Sequence, residues 1–155
     1  MKRVNNLYNS CYDLSNIIDM TNKVCSRVRN KKKVYNFELY KSEHIVNIKN
    51  RLESKNINFG RYNVFLITDS KCRIVASQNI EDKIINHLIA EHILVKVFER
   101  RFTNYGIKLI KRYLNEIKDS NFYVLKLDIK KYFYNIDHDM LKNILISNIK
   151  DNGTV

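Results

Sequence analysis

The sequence predicts an α+β chain that is mostly helical, with one β-hairpin among the helices and a further strand and helix towards the C-terminus. Three observations predict it. Apolar residues recur at near-helical spacing over about 12–29, 43–54, 80–101 and 105–118. Between the second and third of these, "RYNVFLI" and "CRIVAS" are rich in β-branched and aromatic residues and flank the turn-forming "TDSK". Finally, "FYVLKL", Phe122 to Leu127, has the makeup of a mostly buried strand.

In the first helix Leu14, Ile17, Ile18, Cys25 and Val28 supply the apolar stripe, and the basic run "RVRNKKK", Arg27 to Lys33, is expected to follow as a charged loop. The second helix, with Ser42 as its cap, buries Ile45, Ile48 and Leu52. The hairpin occupies about 61–77. After it, Asn79 is a good N-cap, Glu81 and Asp82 complement the dipole in the first turn, and Ile84, Ile85, Leu88 and Ile89 form the stripe of a long helix ending near Arg100 and Arg101. A further helix runs on Ile107, Ile110, Leu114 and Ile117 until "KDSN" stops it. Beyond the strand, Ile136 and Leu141 bracket Asp137 as a hydrophobic staple brackets an N-cap, so "DHDMLKNILISNI" opens the last helix.

With 155 residues, 45% of them hydrophobic, the chain suits one compact domain or a large piece of one. Lys and Arg number 28 against 16 Asp and Glu, and the resulting +12 favours a polyanionic partner, because each neutralised phosphate releases condensed counterions. Nucleic acid is the natural first expectation, although net charge informs about association and not about fold. Cys11, Cys25 and Cys72 are odd in number and have neither disulfide-framework nor zinc-site spacing, which fits a reducing, cytoplasmic setting. No apolar stretch approaches the roughly 20 residues a membrane helix needs, and "MKRVNNLYNS" lacks a signal-peptide core, so no membrane partner is expected. No internal repeat or flexible linker is visible, with three glycines and no proline.

Asp128 stands where the strand of 122–127 should end. Two readings fit that position. One is a turn or capping aspartate, common at strand ends. The other is a metal ligand, since a carboxylate at a strand terminus is rigidly held and hard cations bind through one or two such groups together with substrate phosphates. His44, His87, His92 and His138 have no paired spacing that suggests a metal, and His138 belongs to a helix start.

"YVLKLDIKKYFYNIDHDMLKNIL" resembles the first catalytic motif of bacterial reverse transcriptases of the group II intron and retron kind: the aspartate, the "DIKxxF" core, the following "IDHD" and the leucine of the next helix stand in the family's order. Upstream, "YNVFLITDSKCRIVASQNIEDKIINHLIAEHIL" is similar to the family's fingers region, with its hairpin bearing "KxR". The resemblance extends from about residue 35 onward. It implies a fingers region over 1–120 and the start of a polymerase palm over 121–155. It further implies that Asp128 is a catalytic, magnesium-binding aspartate, that the carbonyl of Ile129 completes a metal site, and that Phe133 lies under the sugar of the incoming nucleotide. Lys71 and Arg73 would meet the nucleotide triphosphate, and the backbone N–H groups of Lys131 and Tyr132 its phosphate oxygens. The implied cofactor is Mg2+ in a two-metal site, and the implied partners are RNA template, DNA primer and dNTP.

The chain departs from the family in three places. The second catalytic motif, a Tyr-x-Asp-Asp hairpin, is expected beyond Val155, so this chain by itself is not expected to polymerise. At "FERRFTNYGIKL" the usual serine-, basic- and glycine-rich segment between two helices is reduced to little more than Thr103 and Asn104. "TDSKCR" has serine where the family often shows proline. The leading expectation is thus an N-terminal portion of an RNA-directed DNA polymerase, and the alternative is a stand-alone, non-catalytic RNA-binding module with a fingers-like fold.

Overall fold

The computed structural model describes residues 6–69, 72–98, 104–116, 123, 125 and 127–150. Among them the fold is mixed α+β and mostly helical: α1 (Leu14–Arg27), α2 (Lys31–Leu39), α3 (Lys41–Glu53), β1 (Asn63–Thr68), β2 (Cys72–Ser77), α4 (Ile80–Ile89), α5 (Asn104–Glu116) and α6 (His138–Asn148). Short 3-10 turns occupy Tyr8–Cys11 and Tyr132–Tyr134, and α4 continues as a π-helical turn over Ala90–Val95. The chain divides into two compact units, one of them Asn6–Ile93, with the residues from Leu94 onward in the other.

The core of the first unit forms where α1, α3 and α4 meet. Ile17, Ile48, Leu52, Ile84, Ile85 and Leu88 are fully buried there, each contributing about 2 kcal/mol by its removal from water. On α1 the buried face is Ile17, Met20, Thr21, Val24 and Cys25, while Leu14 and Ile18 are exposed. The expected stripe was therefore rotated: positions 17, 20, 21 and 24 lie on one side of a 3.6-residue helix, and Ile18 lies about 100° away from Ile17.

The run Arg27–Lys33 is only partly a loop. Asn30 caps α2 by accepting the Lys33 N–H at 3.2 Å, and α2 then buries Val34 and Phe37, whose i, i+3 spacing turns both towards the core. The lysines at 31 to 33 thus form the first turn of a helix. Helix α3 starts earlier than expected, with Tyr40 at the N-cap and Ser42 already inside it. Its C-terminus closes on Lys55, whose left-handed backbone (φ 55°) lets its N–H reach the Leu52 carbonyl at 3.2 Å.

The hairpin pairs β1 and β2 antiparallel, with Val64 opposite Ala76, Leu66 opposite Ile74 and Ile67 opposite Arg73. Every residue of β1 is exposed, so this hairpin projects apolar side chains on both faces. The turn residues 70 and 71 lie outside the described residues, as do 99–103, which include Arg100, Arg101 and the shortened helix junction.

The buried strand expected at Phe122–Leu127 is not found at the positions described. Tyr123, Leu125 and Leu127 are exposed and lie in no strand. A buried strand needs neighbours to take its backbone hydrogen bonds, and the described strands β1 and β2 pair only with each other. The helix after it forms as expected, with Asp137 Oδ1 accepting the N–H groups of Asp139 and Met140 at 2.9 and 3.0 Å.

Tyr8 ties the N-terminal 3-10 turn to α3: its buried hydroxyl donates to the Leu52 carbonyl at 2.6 Å, and burial pushes its pKa above the usual tyrosine value. A folded-state pKa raised above the unfolded one gives stability that is complete below about pH 10 and is lost as pH rises through the folded value. Tyr8→Phe is accordingly expected to melt below the wild type at pH 8, by about 1 kcal/mol for the lost hydrogen bond. The gap should narrow as pH rises above about 10 in denaturant titrations monitored by circular dichroism.

Candidate functional site

The residues that the sequence singles out as a site occupy one short exposed stretch. Asp128, Ile129, Lys131, Tyr132 and Phe133 are all exposed, and among the described residues Asp128 has no hydrogen-bond or ion-pair partner. Asp128 is therefore neither an Asx-turn aspartate within that set nor a carboxylate sealed in the core. Phe133 is 84% exposed, which sets aside core packing as its role. Its ring meets that of Tyr132 edge-on, with centroids 5.3 Å apart.

The local backbone explains how these side chains come to project. Lys131 sits in the left-handed region at φ 53°, ψ 39°, uncommon for a residue with a side chain. It reverses the chain into the Tyr132–Tyr134 turn, which is closed by Tyr134 N–H to the Lys131 carbonyl at 3.0 Å and Asn135 N–H to that of Tyr132 at 3.1 Å. The Asn135 side chain donates to the Lys130 carbonyl at 3.3 Å, and Asp137 then starts α6. Asp128 thus precedes, and Phe133 lies within, a turn fixed by its own hydrogen bonds. Among the described residues no three His, Cys, Asp or Glu side chains converge as a metal cage. Arg73 is exposed on β2, on the same face as Ile67, and belongs to the first unit; Lys71 lies outside the described residues.

A polar cluster that the sequence does not announce lies in the first unit. Arg51 on α3 donates through Nη1 to Glu81 at 3.1 Å and through Nη2 to Asp82 at 3.0 Å and to the Asn58 carbonyl at 2.6 Å. Asp82, 1% exposed, also accepts the Gly60 N–H at 2.8 Å. Glu81 further accepts from Asn47 at 3.0 Å and pairs with His44 Nδ1 at 2.6 Å, and the His44 ring stacks on Phe37 at 4.4 Å. Asn79 caps α4 through the Asp82 N–H at 2.7 Å.

Gly60 suits this close approach: a Cβ there would lie 2.7 Å from Asn79 Nδ2 and 3.3 Å from Asp82 Oδ2, so the capping amide of Asn79 would have to shift. Glu81 and Asp82 were expected only to complement the helix dipole, whereas here they bind α3 and the segment leading into β1. Their oxygens are committed to donors, which makes the cluster a structural clamp with no spare acid or base. The one sequence signal for it is the Asn79-x-x-Asp82 capping spacing; Arg51 carries none.

No protein-family model matches this chain, and a search of curated proteins likewise finds no match.

Removing the cation should leave the buried Asp82 carboxylate without its ion-pair partner, while Glu81 keeps His44 and Asn47. Arg51→Ala is expected to destabilise the first unit by about 3 kcal/mol, read as a lowered urea midpoint, since breaking a buried pair costs far more than an exposed one. Lys49→Ala, which removes only a surface pair with Glu53 at 3.5 Å, is the control expected to change stability by less than about 0.5 kcal/mol.

Proposed function

We propose that this chain is the fingers region and palm entry of an RNA-directed DNA polymerase, binding RNA template and dNTP and contributing the first metal-binding aspartate. The observation that carries this reading is the stretch "DIKKYF": an exposed acid and an exposed aromatic five residues apart, joined through a left-handed Lys131 and followed by an Asp137-capped helix. A residue held in a sparsely populated conformation on an exposed loop is a common mark of a functional site. The +12 charge and the exposed Arg73 on the hairpin also favour polyanionic ligands.

In this reading Asp128 and the Ile129 carbonyl would hold Mg2+ together with phosphate oxygens of the substrate, as hard cations bound through few carboxylates do. When bound, the ion would supply Lewis-acid stabilisation of charge during phosphoryl transfer. A single carboxylate fits a partial site, and in this reading the remaining acids would come from the second motif that such a polymerase carries. Arg73 would grip the triphosphate through its planar guanidinium, joined by Lys71. The N–H groups of Lys131 and Tyr132 would receive phosphate oxygens. Phe133 would close the space beneath the sugar against a 2′-hydroxyl.

A stand-alone RNA-binding module is the second reading, favoured by the lack of a converging acid cluster among the described residues. Primer extension on an RNA template by the full-length gene product separates the two. Asp128→Ala is expected to lower extension at least about a hundredfold while RNA binding is retained, because the metal contributes several kcal/mol to the transition state alone. Undiminished extension rejects the metal assignment, and absence of extension by the wild type together with tight RNA binding favours the module.

Phe133→Ala makes an independent prediction. Opening the space beneath the sugar should raise incorporation of ribonucleotides relative to deoxynucleotides by about tenfold, measured as the ratio of kcat/KM values. An unchanged ratio would remove Phe133 from the nucleotide site.

A further inference from the structure

The first unit carries an open trough that the Asp128 loop does not explain. A cavity of about 650 Å³ lies between the α1–α2 connection, the open ends of the hairpin strands and α4, lined among others by Arg27, Arg29, Lys33, Lys83, His87 and Phe65. A second cavity, of about 480 Å³, shares Val28, Lys33, Asn63 and Lys83 with it, so the two form one continuous depression. Its charge is one-sided. The larger cavity has no carboxylate in its lining, and the one in the smaller, Glu81, is already held by His44, Asn47 and Arg51.

Among the described residues, the side chains of Arg27, Arg29, Lys33 and Lys83 have no ion-pair or hydrogen-bond partner. Glu91 is near enough to feel Arg27, but Lys23 holds that carboxylate at 2.8 Å. Four cations without a partner among the described residues, gathered from three helices and the α1–α2 loop, repel one another, and an anion joining them relieves that repulsion. The neighbours of these cations show what kind of anion. Phe65 is 47% exposed at the trough, a free aromatic face beside the charges, and the Asn30 amide N–H groups and the Asn63 amide add polar contacts. A positive groove with an aromatic platform is how single strands are held, the backbone by charge and the bases by stacking.

We propose that this trough is a binding site for single-stranded nucleic acid, with phosphates on Arg27, Arg29, Lys33 and Lys83 and a base stacked on Phe65. The site does not rest on the polymerase reading, because none of its residues belongs to the Asp128 loop or contacts the proposed nucleotide.

Fluorescence anisotropy with a labelled twelve-nucleotide oligouridine and the full chain tests it. The triple variant Arg27→Gln, Arg29→Gln, Lys33→Gln should weaken binding by about tenfold or more and reduce the slope of log affinity against log salt by about 2, from three lost single-strand phosphate contacts. A charge-matched control, Lys108→Gln, Lys111→Gln, Arg112→Gln on exposed positions of α5, should cost less than about threefold. Phe65→Ala should cost about fivefold or more with the salt slope unchanged, a signature that a loss of charge does not give.

The DNA oligomer of the same sequence should bind within about threefold of the RNA, since charge and stacking do not read the 2′-hydroxyl, and a duplex should bind more weakly because its bases cannot reach Phe65. Equal losses from the two triple variants would overturn the proposal by showing diffuse charge attraction. Displacement of the oligomer by inorganic tripolyphosphate at equal phosphate concentration would overturn it in favour of a small polyphosphate site. Unchanged circular dichroism of each variant confirms that binding is compared between folded proteins.

Discussion

Arg51 is the residue on which the first unit depends. Its guanidinium lies between Glu81 and Asp82 and also reaches the Asn58 carbonyl, so one planar group binds α3, the first turn of α4 and the segment that leads into β1. These elements are far apart in sequence, and hydrophobic contacts between α3 and α4 alone would leave their relative rotation loosely fixed. A directional, charge-assisted pair removes that freedom. The Gly60 N–H on Asp82 extends the same constraint to the base of the hairpin, where a side chain would collide with Asn79. Helix α4 thus has two sides: Ile84, Ile85 and Leu88 fill the core, and its first turn anchors the polar clamp.

Charge is distributed in a way that follows from this clamp. Glu81 and Asp82 are consumed by Arg51, His44, Asn47 and Gly60, and Glu91 and Glu53 by lysines. The hydrogen bond from Lys23 holds the Glu91 carboxyl below its ordinary pKa, so that acid stays ionised and paired. Among the described residues, the cations of the α1–α2 connection have no ion pair with an acid. Four basic side chains, Arg27, Arg29, Lys33 and Lys83, thus gather at the trough beside Phe65.

Two segments carry apolar side chains that the fold leaves in solvent. The hairpin exposes Val64, Phe65, Leu66, Ile67 and Ile74 on both faces, and a two-stranded ribbon is only marginally stable by itself. Tyr123, Leu125 and Leu127 likewise stand exposed ahead of Asp128. Contiguous exposed apolar surface of this kind marks places where proteins meet ligands or other surfaces. The Ile17 to Leu88 core supplies the stability of the first unit.

What the sequence by itself determined is local. Asn79 and Asp137 act as the caps their positions suggest, β1 and β2 form a hairpin, and Ile48, Leu52, Ile84, Ile85 and Leu88 are buried, because capping, turn chemistry and helical period act over a few residues. Tertiary structure decided the rest. Helix α2 emerges from a run that looks like a basic loop, since Val34 and Phe37 find a core to enter, and Leu14 and Ile18 are exposed because α1 presents another face. Tyr123, Leu125 and Leu127 lie in no strand, and Arg51 meets Glu81 and Asp82 across about 30 residues of chain, a contact that no local pattern encodes because it exists only once α3 and α4 have packed.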